Sequence, residues 1–443
     1  MPTLFPDARP HGFVKDQQDH GNLAPGFGGR ALKILWVKAD KILPVHNGGN
    51  IRSYHILRQL ASRHEISFFS YYGGAPDAEY EEELMRQFPG AVCLCTRKHE
   101  PTSLRRGLDY LRRLAMKTPY AVSRFRSVRV EERLSTWCEE RSFDIVVCDF
   151  LDAAVNFPSQ FTIPTVLFQH NVESEIWRRH VATERNPVKK LLYQVECRKM
   201  LSYEQSMVRK FDHIIAVSEH DKRLINEWTD SSRITVVPTG VDLRQYHPDV
   251  SPRANEPLVL FVGAMDWEPN VDAVEYFSRE MWPSIQAKVP TARFRIVGRN
   301  PVRRVRSLAS SSVEVTGSVP SVVDYLRESA VVVVPLRVGG GTRLKIYEAM
   351  AAGKAVVSTT VGAEGLDVNH GEDILLADDP SAFAASVAML LQDAELRRRY
   401  ERAAPALAAR YDWAAIGDRF GQVLETLLGD VLQEGSRVAE PTY

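Results

Sequence analysis

The chain has 443 residues, in which 56 basic and 56 acidic side chains balance and 44% of positions are apolar. That length suits two domains that each bury a core, and zero net charge excludes a global field directed at nucleic acid or a membrane. The scattered cysteines Cys93, Cys95, Cys138, Cys148 and Cys197 show no paired spacing. This excludes a disulfide framework and a zinc site, and it points to a reducing cytoplasm.

Residues 1–29, rich in Pro, Gly, Asp and His, read as a flexible tail without the apolar core of a signal peptide. No stretch approaches the roughly 20 apolar residues needed to cross a bilayer. A first domain is expected over 30–242. Its opening strand, Ala31 to Val37, is apolar on both faces; Pro44, Gly48 and Gly49 then make a turn, and a helix runs from Asn50 to Ser62. Strand, glycine turn and helix open a Rossmann-like unit, although a glycine pair also serves a tight turn with no ligand. Strands at Glu65–Tyr71 and Ala91–Cys95 continue the sheet.

Between Arg97 and Arg133 the character changes. Arg105, Arg106, Arg112, Arg113, Lys117, Arg124, Arg126 and Arg129 alternate with apolar residues such as Leu104, Leu114, Met116 and Phe125. The patch over 97–133 suits anionic lipid headgroups or an anionic acceptor, and equally a solvated basic helix over the core. Phe143–Cys148 and Pro164–Phe168 are further strands, the second leading into Gln169, His170 and Asn171. A histidine at the C-terminal end of a strand stands where open α/β sheets bind ligands, which makes His170 a site candidate, with a structural histidine as the alternative. Val172 to Phe211 reads as one or two charged helices with Glu204 and Arg209 among the exposed positions. Ile214–Val217 is a strand, Ser218 caps the next helix, and Ile234–Pro238 is the last strand of this domain.

Residues 243–257, polar and carrying three prolines, form the expected linker, and the pattern then restarts in a second domain over 258–411. Leu258–Val262 is a strand, Gly263 a turn, and Asn270–Phe277 a helix; Phe294–Gly298, followed by Arg299, and Val313–Gly317 are strands. Val331–Val334, closed by Pro335, precedes Gly339, Gly340 and Gly341 and a short helix that begins near Thr342 and stops at Gly353. Side-chain-free glycines and the positive end of a helix receive an anion. Arg343 and Lys345 in the first helical turn oppose the dipole, so their placement points to a strongly anionic ligand, and Glu348 one turn on suits two ribose hydroxyls. Ordinary side-chain pairs on a solvated helix face are the alternative. Ala355–Thr360 and Ile374–Ala377 complete the sheet, and helices fill 380–411 and 413–428.

The run PLRVGGGTRLKIYEAMAAGKAVVSTTVGAEGL closely resembles the donor-site signature of family 4 glycosyltransferases of the GT-B fold. Many members carry two glutamates eight positions apart; here the second is Glu348 and the first is replaced by Gly340. The resemblance implies an α/β architecture of two Rossmann-like domains facing each other across a cleft, with residues 412–430 crossing back to the first domain and 431–443 a tail. It places Gly48 and Gly49 on a cleft loop, His170 close to the transferred sugar, and Gly263, Gly298, Arg299, Gly365 and Leu366 at the donor site. Many members hold the leaving diphosphate with an Arg and a Lys after the first strand of the second domain, where this chain has Ala264, Met265, Asp266, Trp267 and Asn270. Arg343 and Lys345 are therefore the expected source of that charge.

The implied reaction moves a sugar from a nucleotide-diphosphate donor to a glycan or lipid-linked acceptor with retention at the anomeric carbon. No Asp-X-Asp triplet occurs, in keeping with the metal-independent pattern of the family, and no cofactor is expected. The segments FVGAMDWEPNVDAVEYF and PLRVGGGTRLKIYEAM look like those of sugar transferases linked to exopolysaccharide and PEP-CTERM loci. The cysteine usage points to a cytoplasmic enzyme, and the basic region 97–133 allows peripheral contact with the inner face of the membrane. The alternatives are a nucleotide-sugar epimerase of the same fold and a nucleotide-sugar binding protein without turnover.

Overall fold

The computed structural model describes residues 30–438 except 46, 98–108, 111, 141, 249–255 and 339–343. The chain divides into two units, Met1–Val237 with Gly417–Tyr443, and Pro238–Ile416.

The first unit is built on a seven-stranded parallel sheet in the order β3-β2-β1-β4-β5-β6-β7. Its strands are β1 (Lys33–Ala39), β2 (Glu65–Gly73), β3 (Val92–Arg97), β4 (Ile145–Asp149), β5 (Thr165–Gln169), β6 (His213–Ala216) and β7 (Ile234–Val236). Both faces of β1, β4 and β5 are buried, which is why these strands read as unbroken apolar runs instead of alternating ones. Helix α1 (Gly48–Leu60) follows β1, and the side chain of Asn47 caps it by accepting from Asn50 N at 2.8 Å. The long charged segment is two helices, α2 (Glu173–Thr183) and α3 (Pro187–Lys210). They part at Asn186 and Pro187, where the asparagine accepts from Val188 N and Lys189 N and the proline occupies the first turn.

The second unit carries six parallel strands in the order β10-β9-β8-β11-β12-β13. These are β8 (Leu258–Val262), β9 (Arg293–Val297), β10 (Val313–Gly317), β11 (Val331–Val334), β12 (Ala355–Ser358) and β13 (Leu375–Leu376). Helix α4 (Glu268–Tyr276) follows β8, and α5 (Leu344–Ala351) follows β11. Gly353 ends α5 in the left-handed region at φ +68°, a conformation that glycine adopts without steric cost. In each sheet the strand order reverses once, between β1 and β4 and between β8 and β11. Open α/β sheets bind ligands beyond the carboxyl ends of the strands at such reversals.

The sequence-based boundaries shift in two places. The division between units falls after Val237, ahead of the segment expected as a linker, because Val241 pairs with Asp412 and Tyr246 bonds Glu348 within the second unit. The last helix, α6 (Trp413–Val438), also runs on through residues expected to form a tail. From Gly417 onward it belongs to the first unit, where Phe420 packs its ring 5.4 Å from Trp36 and 5.0 Å from Phe168.

The ends of β8 and β9 approach closely where Gly298 carries no side chain. A Cβ at Gly298 would lie 1.6 Å from the carbonyl oxygen of Gly263. Gly298→Ala should therefore destabilise the second unit by about 1–3 kcal/mol, the usual cost of overpacking. Urea unfolding reads this as a lower midpoint, and an unchanged midpoint would refute the packing argument.

Candidate active site

In the first unit the strand reversal gathers a cluster of buried polar side chains. Trp36 and Lys38 come from β1, Asp149 ends β4, Arg52 and Ser53 lie in the first turns of α1, and His170 follows β5 directly. Asp149 accepts from Lys38 Nζ at 3.2 Å, Trp36 Nε1 at 3.1 Å, Ser53 Oγ at 3.0 Å and His170 Nε2 at 2.7 Å. Arg52 Nη1 donates to His170 Nδ1 at 2.9 Å.

Lys38, Arg52, Asp149 and His170 are each at most 3% exposed. Burial alone would raise the Asp149 carboxyl, but Lys38 and the bonds from His170 and Ser53 outweigh it and hold the group well below the usual carboxylate range. Burial pushes His170 down to about 3 against the pull of Asp149, and it brings Arg52 down to about 10. Both ring nitrogens of His170 are engaged. Phe150 stacks on its ring at 3.6 Å with the planes 2° apart, and Phe168 lies 4.1 Å away on a tilt.

This arrangement holds the ring of His170, expected close to the transferred sugar, by other groups of the first unit. It also explains Gly49. Neither Gly48 nor Gly49 is among the positive-φ residues; both start α1, and a Cβ at Gly49 would lie 2.1 Å from Phe150 Cζ. The glycine is required by the Phe150 ring. Phe150 itself holds φ +72°, a strained conformation for a non-glycine residue of the kind that clusters at functional sites.

Glu204, read as exposed, is fully buried. From α3 it accepts Glu173 N at 2.8 Å, Ser174 N at 3.0 Å, and the side chains of Ser174 and Gln169. It therefore holds the N-terminus of α2 and the strand end that carries His170. Of the basic patch, Arg105 and Arg106 lie outside the described residues. Arg113 turns inward to Asp109 and Ser123, whereas Arg112, Lys117, Arg124, Arg126 and Arg129 are exposed beside Met116 and Val128.

In the second unit, Gly339, Gly340, Gly341, Thr342 and Arg343 lie outside the described residues. Lys345, in the first turn of α5, reaches the carboxyl end of β8. Its Nζ donates to Asn270 Oδ1 at 2.9 Å and sits 4.3 Å from the centre of the Phe261 ring. Asn270 is turned for this by its own donation to Ala264 O at 3.0 Å. A Cβ at Gly263 would lie 2.9 Å from Lys345 Nζ and 2.6 Å from Asn270 Nδ2, so the glycine leaves room for both side chains. Gly263, Gly298 and Lys345 thus share one strand end, and Arg299 joins them through its carbonyl, which accepts Met265 N at 2.8 Å.

Glu348 lies half-buried on the next turn of α5 and accepts from Tyr246. Burial raises its carboxyl to about 7 against the pull of Lys345 and Tyr246. Gly365 takes φ +79° and leads through Leu366 to Asp367, whose N–H donates to Tyr347 Oη at 3.3 Å. That bond ties the 365–367 turn to α5 beside Glu348. Lys38, Arg52, Asp149, Asn270 and Tyr246 were not singled out from sequence as site residues. A charged residue closing an apolar run, as in ILWVK and IVVCD, was the available signal for the first and third.

A family profile described as "Glycosyltransferase Family 4" matches residues 46–245, and one described as "Glycosyl transferases group 1" matches 256–393. The chain belongs to glycosyltransferase family 4. It is a glycosyltransferase with the GT-B fold. An uncharacterised 44.6 kDa protein in the cps region of Klebsiella pneumoniae is 24% identical over 371 residues, 80% of this chain and 90% of that one. The phosphatidyl-myo-inositol mannosyltransferase of Mycobacterium tuberculosis is 29% identical over 230 residues, which span 48% of this chain and 60% of the relative. Among solved structures, sucrose-phosphate synthase of Thermosynechococcus elongatus matches at TM-score 0.64 and 16% identity, covering 90% of this chain and 100% of that one. Anabaena HepE in complex with UDP and glucose matches at TM-score 0.59 and 16% identity, over 89% and 99%.

Two outcomes follow from the charge pattern of this transferase. Asp149→Asn leaves Lys38 buried without its counter-ion and should cost about 3–5 kcal/mol of stability at neutral pH. Because Asp149 is depressed in the folded state, its contribution is present above the unfolded value of about 4 and is lost as pH falls through the folded one. The variant should accordingly lose part of the acid sensitivity of urea unfolding, and equal midpoints for the two proteins would refute the pairing. For Glu348, expected from the sequence to receive ribose hydroxyls, ionisation leaves both carboxyl oxygens as acceptors. Nucleotide affinity measured by calorimetry should rise with pH through about 7, and Glu348→Gln should flatten that rise.

Proposed function

We propose that the chain transfers a sugar, with retention, from a nucleotide-diphosphate donor to a glycan or lipid-linked acceptor, without a metal ion, in the synthesis of a bacterial surface polysaccharide or glycolipid. The observation that carries this reading is the position of Lys345 at the carboxyl end of β8, beside Gly263 and Asn270. As the glycosidic bond to the donor breaks, negative charge grows on the departing diphosphate and positive charge on the sugar. Fixed cations and backbone N–H groups aimed at that charge supply the largest share of rate enhancement in such steps.

Lys345 is one such cation, and we assign the second to Arg343 and the N–H donors to Gly339 through Thr342. Glu348 would take the ribose, and Gly298, Arg299, Gly365 and Leu366 would frame the remainder of the donor. Support for a uridine nucleotide comes from the HepE structures, solved with UDP, UDP and glucose, and UDP-glucose. Support for a surface glycan comes from the cps-region relative and from a lipopolysaccharide core mannosyltransferase of Rhizobium leguminosarum, 25% identical over 273 residues. The exposed basic residues from Arg112 to Arg129 around Met116 and Val128 suit an acceptor held at an anionic lipid surface. No helix among the described residues is long and apolar enough to cross a membrane, so contact of this kind would be peripheral.

The decisive experiment supplies a panel of UDP-, GDP-, ADP- and dTDP-sugars and follows nucleotide release in the presence of a chelator. Turnover of one donor is expected, and Lys345→Ala should lower its kcat/KM by about 10²-fold or more. Full activity in that variant would overturn the role of Lys345. Tight donor binding with no release, with or without candidate acceptors, would favour a binding protein, and isomerised donor without an acceptor would favour an epimerase.

A further inference from the structure

We propose that Arg52 is a positioning residue that fixes His170 as a neutral imidazole with its single proton on Nε2. The protonation state is a property of the folded chain, and only its kinetic consequence rests on the transferase reading.

A guanidinium offers donors and no acceptor. With Arg52 Nη1 at 2.9 Å, His170 Nδ1 must present a lone pair, and the ring proton belongs on Nε2, which faces Asp149 Oδ1 at 2.7 Å. An imidazolium would set an N–H against a guanidinium N–H where His170 is 2% and Arg52 3% exposed. Two influences therefore oppose each other at one ring. The ionised Asp149 favours a second proton on the imidazole, and Arg52 occupies the atom that would receive it.

The charged groups around the ring come from each neighbouring polar element: Lys38 from β1, Asp149 from β4 and Arg52 from α1. Asp221 acts on Arg52 by its charge. Phe150 and Phe168 cover the ring and contribute no titratable group. With His170 neutral, Lys38 and Arg52 are matched by Asp149 and Asp221. A proton on the ring would leave the cluster one charge positive; on the transferase reading, whose family resemblance puts His170 close to the transferred sugar, that charge would oppose the positive charge the sugar develops. The Nδ1 bond keeps that charge away, and it also sets the plane of the ring and the path of the chain from His170 into α2.

The test is nitrogen-resolved NMR of histidine-labelled full-length protein, with the His170 signal identified by its absence in His170→Gln. In the native chain the ring should stay neutral, with the Nε2–H tautomer, from pH 8 down to 5. In Arg52→Met it should gain a proton at Nδ1 within that range, and kcat should acquire an acid limb with the same midpoint while the donor KM holds. Arg52→Lys, which keeps a cationic donor with no acceptor, should keep the native tautomer and the flat profile. A native ring that titrates near the ordinary value of about 6.5, or that carries its proton on Nδ1, overturns the inference. An Arg52→Met enzyme whose ring titrates with no acid limb in kcat reduces Arg52 to a structural role. If Arg52→Met does not fold, the native and Arg52→Lys spectra still decide the tautomer. A chain that transfers no sugar from any donor removes the transferase reading and the kinetic role, and the spectra still decide the protonation state.

Discussion

The carboxylate of Asp149 is the constraint on which the first unit's site depends. An ionised carboxylate has about four lone-pair directions, and those of Asp149 meet Trp36, Lys38, Ser53 and His170. These donors arrive from β1, α1 and the end of β5, so one buried charge registers three elements against each other. A buried carboxylate is tolerated only when paired and saturated with hydrogen bonds. Once Asp149 is placed, the donors have little freedom left, and the ring of His170 is held by its own bond to it and by Arg52 behind. Phe150 then covers the ring, and Gly49 gives way to Phe150. The glycine pair after β1 is the last link of a chain of consequences that begins with a charge.

The second unit meets its own strand reversal by a different device. Its strand ends close up through glycine, with Gly263 and Gly298 in backbone contact, and its polar groups come from the helices: Asn270 from α4 and Lys345 from α5. No buried carboxylate among the described residues organises this end as Asp149 does the first. The lysine is held by a side-chain amide and an aromatic face, and the Glu348 carboxyl one turn on feels its charge. An anion arriving there meets a positive charge in a half-buried setting, where it counts for more than in water.

Much of the architecture was legible in the sequence because strands buried on both faces declare themselves as apolar runs. Among the described residues, strands buried on both faces coincide with such runs, from ILWV in β1 to VVVV in β11. The short-range signals at helix ends were equally readable, as at Ser218, whose Oγ accepts Asp221 N at 3.0 Å, and at Gly353. What could not be read were contacts made across the fold. Arg52 and His170 are 118 positions apart, Lys38 and Asp149 are 111 apart, and Lys345 and Asn270 are 75 apart. Glu204 was misread for a related reason: a glutamate in a charged helix resembles its solvated neighbours until a second helix places its N-terminus against it. The rule that Lys and Glu stay on the surface fails where a backbone or a counter-ion takes the place of water.

The site of Lys345 also gives the GGGTRLK segment a physical reason. Where an Arg and a Lys follow β8, the cations lie on the loop that must also turn the chain into the next helix. In this chain that loop is Gly263 to Trp267, and Asn270 spends its amide on the loop carbonyl of Ala264 and its oxygen on Lys345. Lys345 instead stands in the first turn of α5, where the helix dipole disfavours a cation. A lysine at that position is stable only while other groups compensate, and Phe261, Asn270 and the carboxylate of Glu348 one turn away all act in that sense. The same dipole that opposes the lysine favours an anion at the helix end. A bound diphosphate would thus relieve an unfavourable arrangement already built into the free protein. A dipole and a cation at one helix end both favour a ligand with concentrated negative charge over a neutral one.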